Sequence, residues 1–470
     1  MISPATYVRL AQLHNLDAPF FPSLKDLRIV DANSSLIHLN LLLSNSLRSI
    51  ELVGKIDRTQ EEVFLSFLIT LADECPELSS IKLSSSLSTS VLENCLQFNH
   101  LRALELKDVL SELDFNLLST IGQAFPRLED FVLGARTTKY TRAAVLSSSS
   151  LDSEVSEHSD GQDHPGLEPT SQSQQMESPL RPEPGFLRLE KLHITGSLEL
   201  IQDLIESIPS PSLKEIGLTL VRSNRPKVPQ KSQGSGKEKG VSSGRMALID
   251  LETPVFVTCL RKVLSAWRHS LSNLFIGQYE DYLHLDQGLP RTPVFPTLPV
   301  AVCEEILLLP ELECLDISHW TIGKFLEDST PSTLIDPALS KLKFLHLPVH
   351  SKNRGTSLSG LRLVAEAFPN LVSFRSRIVT LDDSDIPVYD PSKPATHILS
   401  HGMEILSVGN ASPNPKPKKV LDIARHIFAL FPNLKEISTH EGQNEDQWEY
   451  INSLVRIFQG VCLDQAARLV

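Results

Sequence analysis

Gly234-Ser235-Gly236-Lys237 is the string nearest to a phosphate-binding loop, in which glycine amides surround the phosphates and a lysine stands beside them. Its spacing fails: the first glycine of such a loop falls on Lys231, and Glu238 stands where Ser or Thr is needed to hold a metal. A nucleophile elbow requires Gly-x-Ser-x-Gly, and the nearest string, Gly355-Thr356-Ser357-Leu358-Ser359-Gly360, has the wrong spacing and is expected to be a loop. No His-Glu-x-x-His string places two imidazoles on one helical face for zinc. His14, His38, His100, His193, His319 and His346 are spread along the chain and read as hydrogen-bonding residues. The acidic pairs Glu61-Glu62 and Glu304-Glu305 open or edge expected helices, where acids favour the helix dipole. These readings point to a protein that is not an enzyme, with no catalytic residue, metal site or cofactor.

The six cysteines, at 75, 95, 259, 303, 314 and 462, form no CxxC pair, which suits a reducing compartment better than a disulfide framework. Cys75 stands in Cys75-Pro76-Glu77-Leu78 where related segments carry Phe-Pro-x-Leu, so it is expected to be a small buried apolar residue. The net charge of −13 repels phosphate backbones and anionic lipid surfaces, arguing against nucleic acid and membrane partners. The N-terminus lacks a basic start followed by an apolar run, and no stretch of about 18 apolar residues occurs. A cytoplasmic location is expected, with Lys231 to Lys239 and Lys416 to Lys419 as short candidate nuclear addresses.

The elements that would position any site come from a repeat. Leu24-x-x-Leu27-x-Ile29 recurs at Leu47, Leu78, Leu101 and Leu128, every 23 to 31 residues. It resumes at Leu189, Leu213, Leu271, Leu312 and Leu342, and weaker copies start at Leu371, Met403 and Leu434. The last two apolar positions of each unit are two apart, as a strand with one buried face requires. Helical spacing lies between them, at Glu61 to Cys75, Ser197 to Ile208, Val255 to Trp267, Val300 to Leu308, Leu361 to Phe368 and Val420 to Phe431. Proline stops several helices just before the next strand, as in Phe125-Pro126, Phe368-Pro369 and Phe431-Pro432. One strand–helix unit cannot bury its own face, so the units stack, strands inside and helices outside. The expected fold is an α/β leucine-rich-repeat solenoid, a horseshoe with parallel strands on its concave face. Trp448 to Leu469 reads as a final amphipathic helix capping the array.

Repeats are expected over 1–136, 186–221 and 248–470, interrupted at 137–185 and 222–247. The first interruption is rich in Ser, Glu and Pro and the second in Lys, Ser and Gly, compositions that bury little apolar surface. Ser153-Glu154, Ser156-Glu157 and Ser178-Pro179 are candidate phosphorylation sites within what is otherwise a solvated linker.

The repeated Phe-Pro-x-Leu signature, seen in Phe21-Pro22-Ser23-Leu24, Phe368-Pro369-Asn370-Leu371 and Phe431-Pro432-Asn433-Leu434, resembles the leucine-rich-repeat region of fungal F-box proteins. The resemblance covers nearly the whole chain. It implies substrate recognition within a ubiquitin ligase, where an N-terminal F-box of about forty residues binds a Skp-type adaptor and a cullin. The first repeat begins by Phe21, and Met1 to Pro19 is shorter than an F-box, so the adaptor and cullin are partners only if an F-box lies upstream. The alternative is a stand-alone scaffold or a regulator of small GTPases.

On either reading a protein partner is expected on the concave face. Side chains alternating with the buried strand positions nominate Asp26, Arg28, Ser49, Glu51, Lys82, Glu105, Lys191, His193, Glu215, Asp316, His346, Arg375 and Glu436. Phe275 and Phe344 join them as candidate aromatic anchors.

Overall fold

The computed structural model describes residues 21–30, 36–54, 58–109, 113–135, 140–141, 185–221, 243–279, 297–322, 341–348, 355–379, 399, 401–409, 417–439 and 445–469. Most of the two expected interruptions, His14, the Gly234–Lys237 string and the candidate phosphorylation sites lie outside them.

Thirteen strands form the path of one parallel sheet, in sequence order. They are β1 (Asp26–Val30), β2 (Ser49–Val53), β3 (Ser80–Leu87), β4 (Ala103–Val109), β5 (Asp130–Ala135), β6 (Lys191–Gly196) and β7 (Glu215–Val221), followed by β8 (Asn273–Tyr279), β9 (Cys314–Asp316), β10 (Phe344–His346), β11 (Ser373–Val379), β12 (Ile405–Gly409) and β13 (Glu436–Thr439). Each coincides with one copy of the repeat. A two-residue strand, Thr356–Ser357, adds to β11. The helices are α1 (Glu61–Glu74), α2 (Thr89–Cys95), α3 (Phe115–Ala124), α4 (Leu198–Ser207), α5 (Ser243–Ala266), α6 (Val300–Leu307), α7 (Leu358–Ala367), α8 (Pro417–Leu430) and α9 (Glu445–Leu469).

The repeat leucines explain the register. Leu78, Ile81 and Leu83 of one unit are buried, as are Leu101, Leu104 and Leu106 of the next. Pairing β3 with β4 sets Ile81 against Leu104 and Leu83 against Leu106, so each unit extends the same apolar floor. A slip of one residue would turn those side chains to the other face, at about 1.5–3 kcal/mol for each one exposed. At every junction from β1–β2 to β12–β13, the carbonyl before one strand accepts two consecutive amides of the next unit. Glu129 accepts from Glu190 and Lys191 in this way, so β5 and β6 are neighbours despite the sequence between them.

The Phe-Pro positions lie under the sheet: Phe125, Phe368 and Phe431 are buried. Cys75 is buried in the same place, its Sγ 3.1 Å from the Ser44 carbonyl, as expected for a residue standing in for Phe. Phe186 takes this place where the chain re-enters the array, packed at 5.5 Å on Phe131. There Gly185 and Gly122 meet backbone to backbone.

Three local expectations change. The Gly355–Gly360 segment is a strand-to-helix junction, not a loop: the Ser357 hydroxyl accepts the Gly360 amide and caps α7. Helix α5 begins at Ser243, before the expected Val255, and carries Pro254 inside it. Glu304-Glu305 falls in the second half of α6, where Glu305 pairs with Arg261 of α5 at 3.0 Å. The final helix is present: Trp448, Ile451 and Val455 are buried on one stripe.

Candidate binding face of the sheet

Helices are about 10 Å across and strands are spaced about 4.8 Å apart, so a stack of such units curves with its sheet on the inner side. The face of the sheet away from the helices is therefore the concave one. Parallel register lays two rows of side chains along it. One row runs Asp26, Ser49, Ser80, Ala103, Asp130, Lys191, Glu215, Asn273, Cys314, Phe344, Ser373, Ile405 and Glu436. The other runs Arg28, Glu51, Lys82, Glu105, Val132, His193, Gly217, Phe275, Asp316, His346, Arg375, Ser407 and Ser438. All fifteen nominated residues fall in these rows, spread from end to end. Asp130, Asn273, Cys314, Gly217, Ser407 and Ser438 were not nominated. Each lies two or four residues after the first apolar position of its repeat, as the nominated residues do, and a choice by charge and aromaticity passed over them.

The rows differ in chemistry along their length. Towards the N-terminus they are a ladder of exposed or half-buried ion pairs: Arg28 with Glu51 at 3.4 Å, Lys82 with Glu105 at 3.5 Å, and Lys107 with Glu105. Burial pushes the Glu105 carboxyl up, but the lysines outweigh it and hold it below the usual range. Such surface pairs contribute about 0–1 kcal/mol each and mainly set the charge pattern.

The middle is more enclosed. The Glu215 carboxylate is shared between strands, meeting His193 Nε2 at 2.7 Å and accepting from Asn273 Nδ2 at 3.1 Å. Gly217 lies between His193 and Phe275 in the register. A Cβ at Gly217 would run into the His193 ring, so its absence lets that ring lean across β7 to Phe275, 5.5 Å between centroids. Burial raises the Asp130 carboxyl, partly offset by Lys191, His193 and Lys82. At β9, burial of Asp316 is outweighed by hydrogen bonds from His346, 3.1 Å away, and from Ser318, leaving it at about 2. Phe344, 40% exposed, lies two residues before His346 on the same strand, β10.

None of this makes an activated nucleophile. Burial, followed by the Asp316 and Glu215 carboxylates, pushes the Cys314 thiol up to about 12. Burial likewise takes Cys95 and Cys303 to about 12 and Cys259 to about 11. A thiol is reactive as its anion, and these are protonated at neutral pH. Among the described residues no group of three or more His, Cys, Asp or Glu lies together as metal ligands would, and no helix is long and apolar enough to cross a membrane.

Strand order, register and the repeated floor define an α/β leucine-rich-repeat solenoid. No family's sequence model matches the chain, and no curated protein matches it. Among solved structures, an internalin from Listeria monocytogenes aligns at 12% identity and a TM-score of 0.35, over 86% of this chain and 83% of that one. At so low a score the solenoid assignment stands on the chain's own geometry.

Proposed function

We propose that the chain is a non-catalytic protein-binding module whose partner docks on the concave sheet face. The observation that carries this reading is the centre of that face. Phe275 and Phe344 stand among half-buried polar groups, His193, Glu215, Asp316 and His346, and Gly217 clears the space over which His193 and Phe275 meet. An aromatic group ringed by polar side chains that already hold one another in position is the usual make-up of an interface hot spot. Pre-ordering lowers the entropy cost of binding.

The more specific version is substrate recognition in a Skp–cullin ubiquitin ligase, which the Phe-Pro-x-Leu repeats favour. Quantitative affinity purification of the full-length endogenous protein tests both levels. Partners of the concave face are expected to fall by about 30-fold with Phe275→Ala, a loss typical of a hot-spot residue. They should be retained with Arg362→Gln, which alters a convex helix. Equal recovery with both variants would rule out the concave site. For the ligase version, a Skp-type adaptor and a cullin should co-purify and survive Phe275→Ala, because they engage an F-box and not the repeats. If neither co-purifies, the ligase version is wrong and a stand-alone scaffold remains.

A further inference from the structure

Helix α9 caps the array with one face and leaves another uncovered. Trp448, Ile451 and Val455 are buried against α8 and β13, and Phe458 beside them packs on Phe428 of α8, 5.9 Å between centroids. Roughly 120° further round the helix lies a second apolar row, Tyr450, Leu454, Ile457 and Val461. Tyr450, Ile457 and Val461 are 58%, 57% and 49% exposed, and Leu454 is half-buried. Single exposed apolar side chains are ordinary, but a continuous row of four is not needed to close a solenoid. Steps of four, three and four residues are the alternation that keeps one seam of a helix against another helix.

The row fits its own copy. Its spacing reads the same in both directions, so a two-fold axis crossing α9 midway between Leu454 and Ile457 sets Tyr450 on Val461 and Leu454 on Ile457 of the second copy. No apolar residue of the row is left unmatched. The ends of the helix agree with that direction: the first turn of α9 carries Glu445 and Asp446, and the last turn carries Arg468. In the antiparallel pair these acids come within one helical turn of the second copy's Arg468, and the two helix dipoles oppose each other, whereas a parallel pair would set acids on acids. Ser453 and Gly460 flank the row on one side and are small enough to let a second helix come close. The net charge of −13 sets two copies against each other, so a contact between them needs an apolar centre with opposite charges at its ends, and α9 supplies both.

We propose that the chain forms a two-fold dimer through antiparallel α9 helices, with Tyr450, Leu454, Ile457 and Val461 as its seam. The seam lies on the end cap and uses none of the concave residues, so it does not rest on the sheet face being the partner surface. A dimer built this way carries that face twice, which raises its avidity for a partner with two docking segments. Two helices meeting over about three turns bury well under the ~1,600 Å² of a standard interface, so the dissociation constant should be on the order of 10 µM.

Sedimentation velocity of the full chain, from about 1 to about 200 µM in about 0.15 M salt, tests this. The natural chain should pass from monomer to dimer across that range. Ile457→Asp and the milder Ile457→Ser should each weaken dimerisation at least about tenfold, with the monomer's melting temperature within about 2 °C of the natural chain's because the site is exposed. Ile69→Asp, at an exposed position of α1, should leave dimerisation unchanged. Asp446→Arg and Arg468→Asp should each weaken the dimer about threefold, and the double variant should recover most of the loss, because antiparallel helices bring the two positions together. A chain still monomeric at the highest concentration, Ile457 variants that dimerise as the natural chain does, or a double variant no better than the single ones would each overturn the proposal. Capture of a different protein through Ile457 by a chain that stays monomeric would overturn it too, and give the row to that protein. The concave-face reading is tested separately by partner capture with Phe275→Ala, so either can fail while the other stands.

Discussion

Glycines and buried histidines make the sharpest claims at the residue scale. A Cβ on Gly134 would overlap the backbone carbonyl of Lys107 on the neighbouring strand, a contact that cannot rotate away. Gly460, in α9, has open space around it. Gly134→Ala should therefore lower the unfolding free energy by about 1–3 kcal/mol, while Gly460→Ala should raise it by about 0.5–1 kcal/mol, as measured by denaturant titration. His401 is buried; its Nε2 donates to the Phe368 carbonyl at 2.8 Å and its Nδ1 accepts the Met403 amide at 3.0 Å. That pairing assigns the neutral ring, because a protonated Nδ1 has no lone pair for the amide. Burial, partly offset by the Phe368 bond, lowers its pKa, and His426 is lowered for the same first reason. Below about pH 6.5 the unfolded chain binds protons that the folded chain does not, so stability present above that pH is lost as it falls. His401→Gln keeps a donor and an acceptor without titrating, and its stability should decline less between pH 7 and 5. The Asp316 carboxyl, at about 2, works in a lower window: its contribution is present above about pH 4 and disappears as pH falls towards 2. Asp316→Asn should be less stable than the natural chain at pH 6 and no less stable at pH 2. None of these pairings was legible in sequence, since each joins residues whose meeting depends on the register or on a turn.

Elements were far more legible, for a physical reason. Leu78, Ile81 and Leu83 mark a strand by spacing alone because one face is buried and the other is not. Helix limits followed less well. Ser357 looked like part of a loop because its capping role shows only once the Gly360 amide is seen to lack a helical partner. At β11 the repeat pattern weakens to Ser376, which is nonetheless buried; its hydroxyl pairs with Thr356 at 2.8 Å, from a strand that the repeat does not announce. The last element carries the clearest prediction. Each earlier strand's entry carbonyl is answered by the next repeat, and at the end of the array α9 takes over: Arg456 donates to the Lys435 carbonyl at 2.8 Å and Gln459 to those of Pro432 and Leu434. Side chains here replace a missing repeat. In the double variant Arg456→Ala, Gln459→Ala, amides of Glu436–Thr439 should exchange faster while those of Ser80–Leu87 keep their rate, because repeats couple mainly to their neighbours. Equal acceleration at both ends would remove the cap from the account.

At the scale of the whole molecule, the solenoid was readable from thirteen recurrences, and so were the strand offsets that give the two rows of the concave face, although a choice by charge and aromaticity left out Asp130, Asn273, Cys314, Gly217, Ser407 and Ser438. The differences along that face were not. Ion pairs at the N-terminal end, the His193–Phe275 meeting over Gly217 and the Asp316–His346 pair all require strands far apart in sequence to be laid side by side in register. The most direct measurement of the central claim is site-specific photo-crosslinking from that face. A benzophenone amino acid replaces Phe344 in the full-length protein, with a matched probe at Arg362 on the convex side. The account predicts a discrete adduct with the partner from position 344 and little from 362. Adducts from 362 alone would contradict it and move the binding surface to the helices.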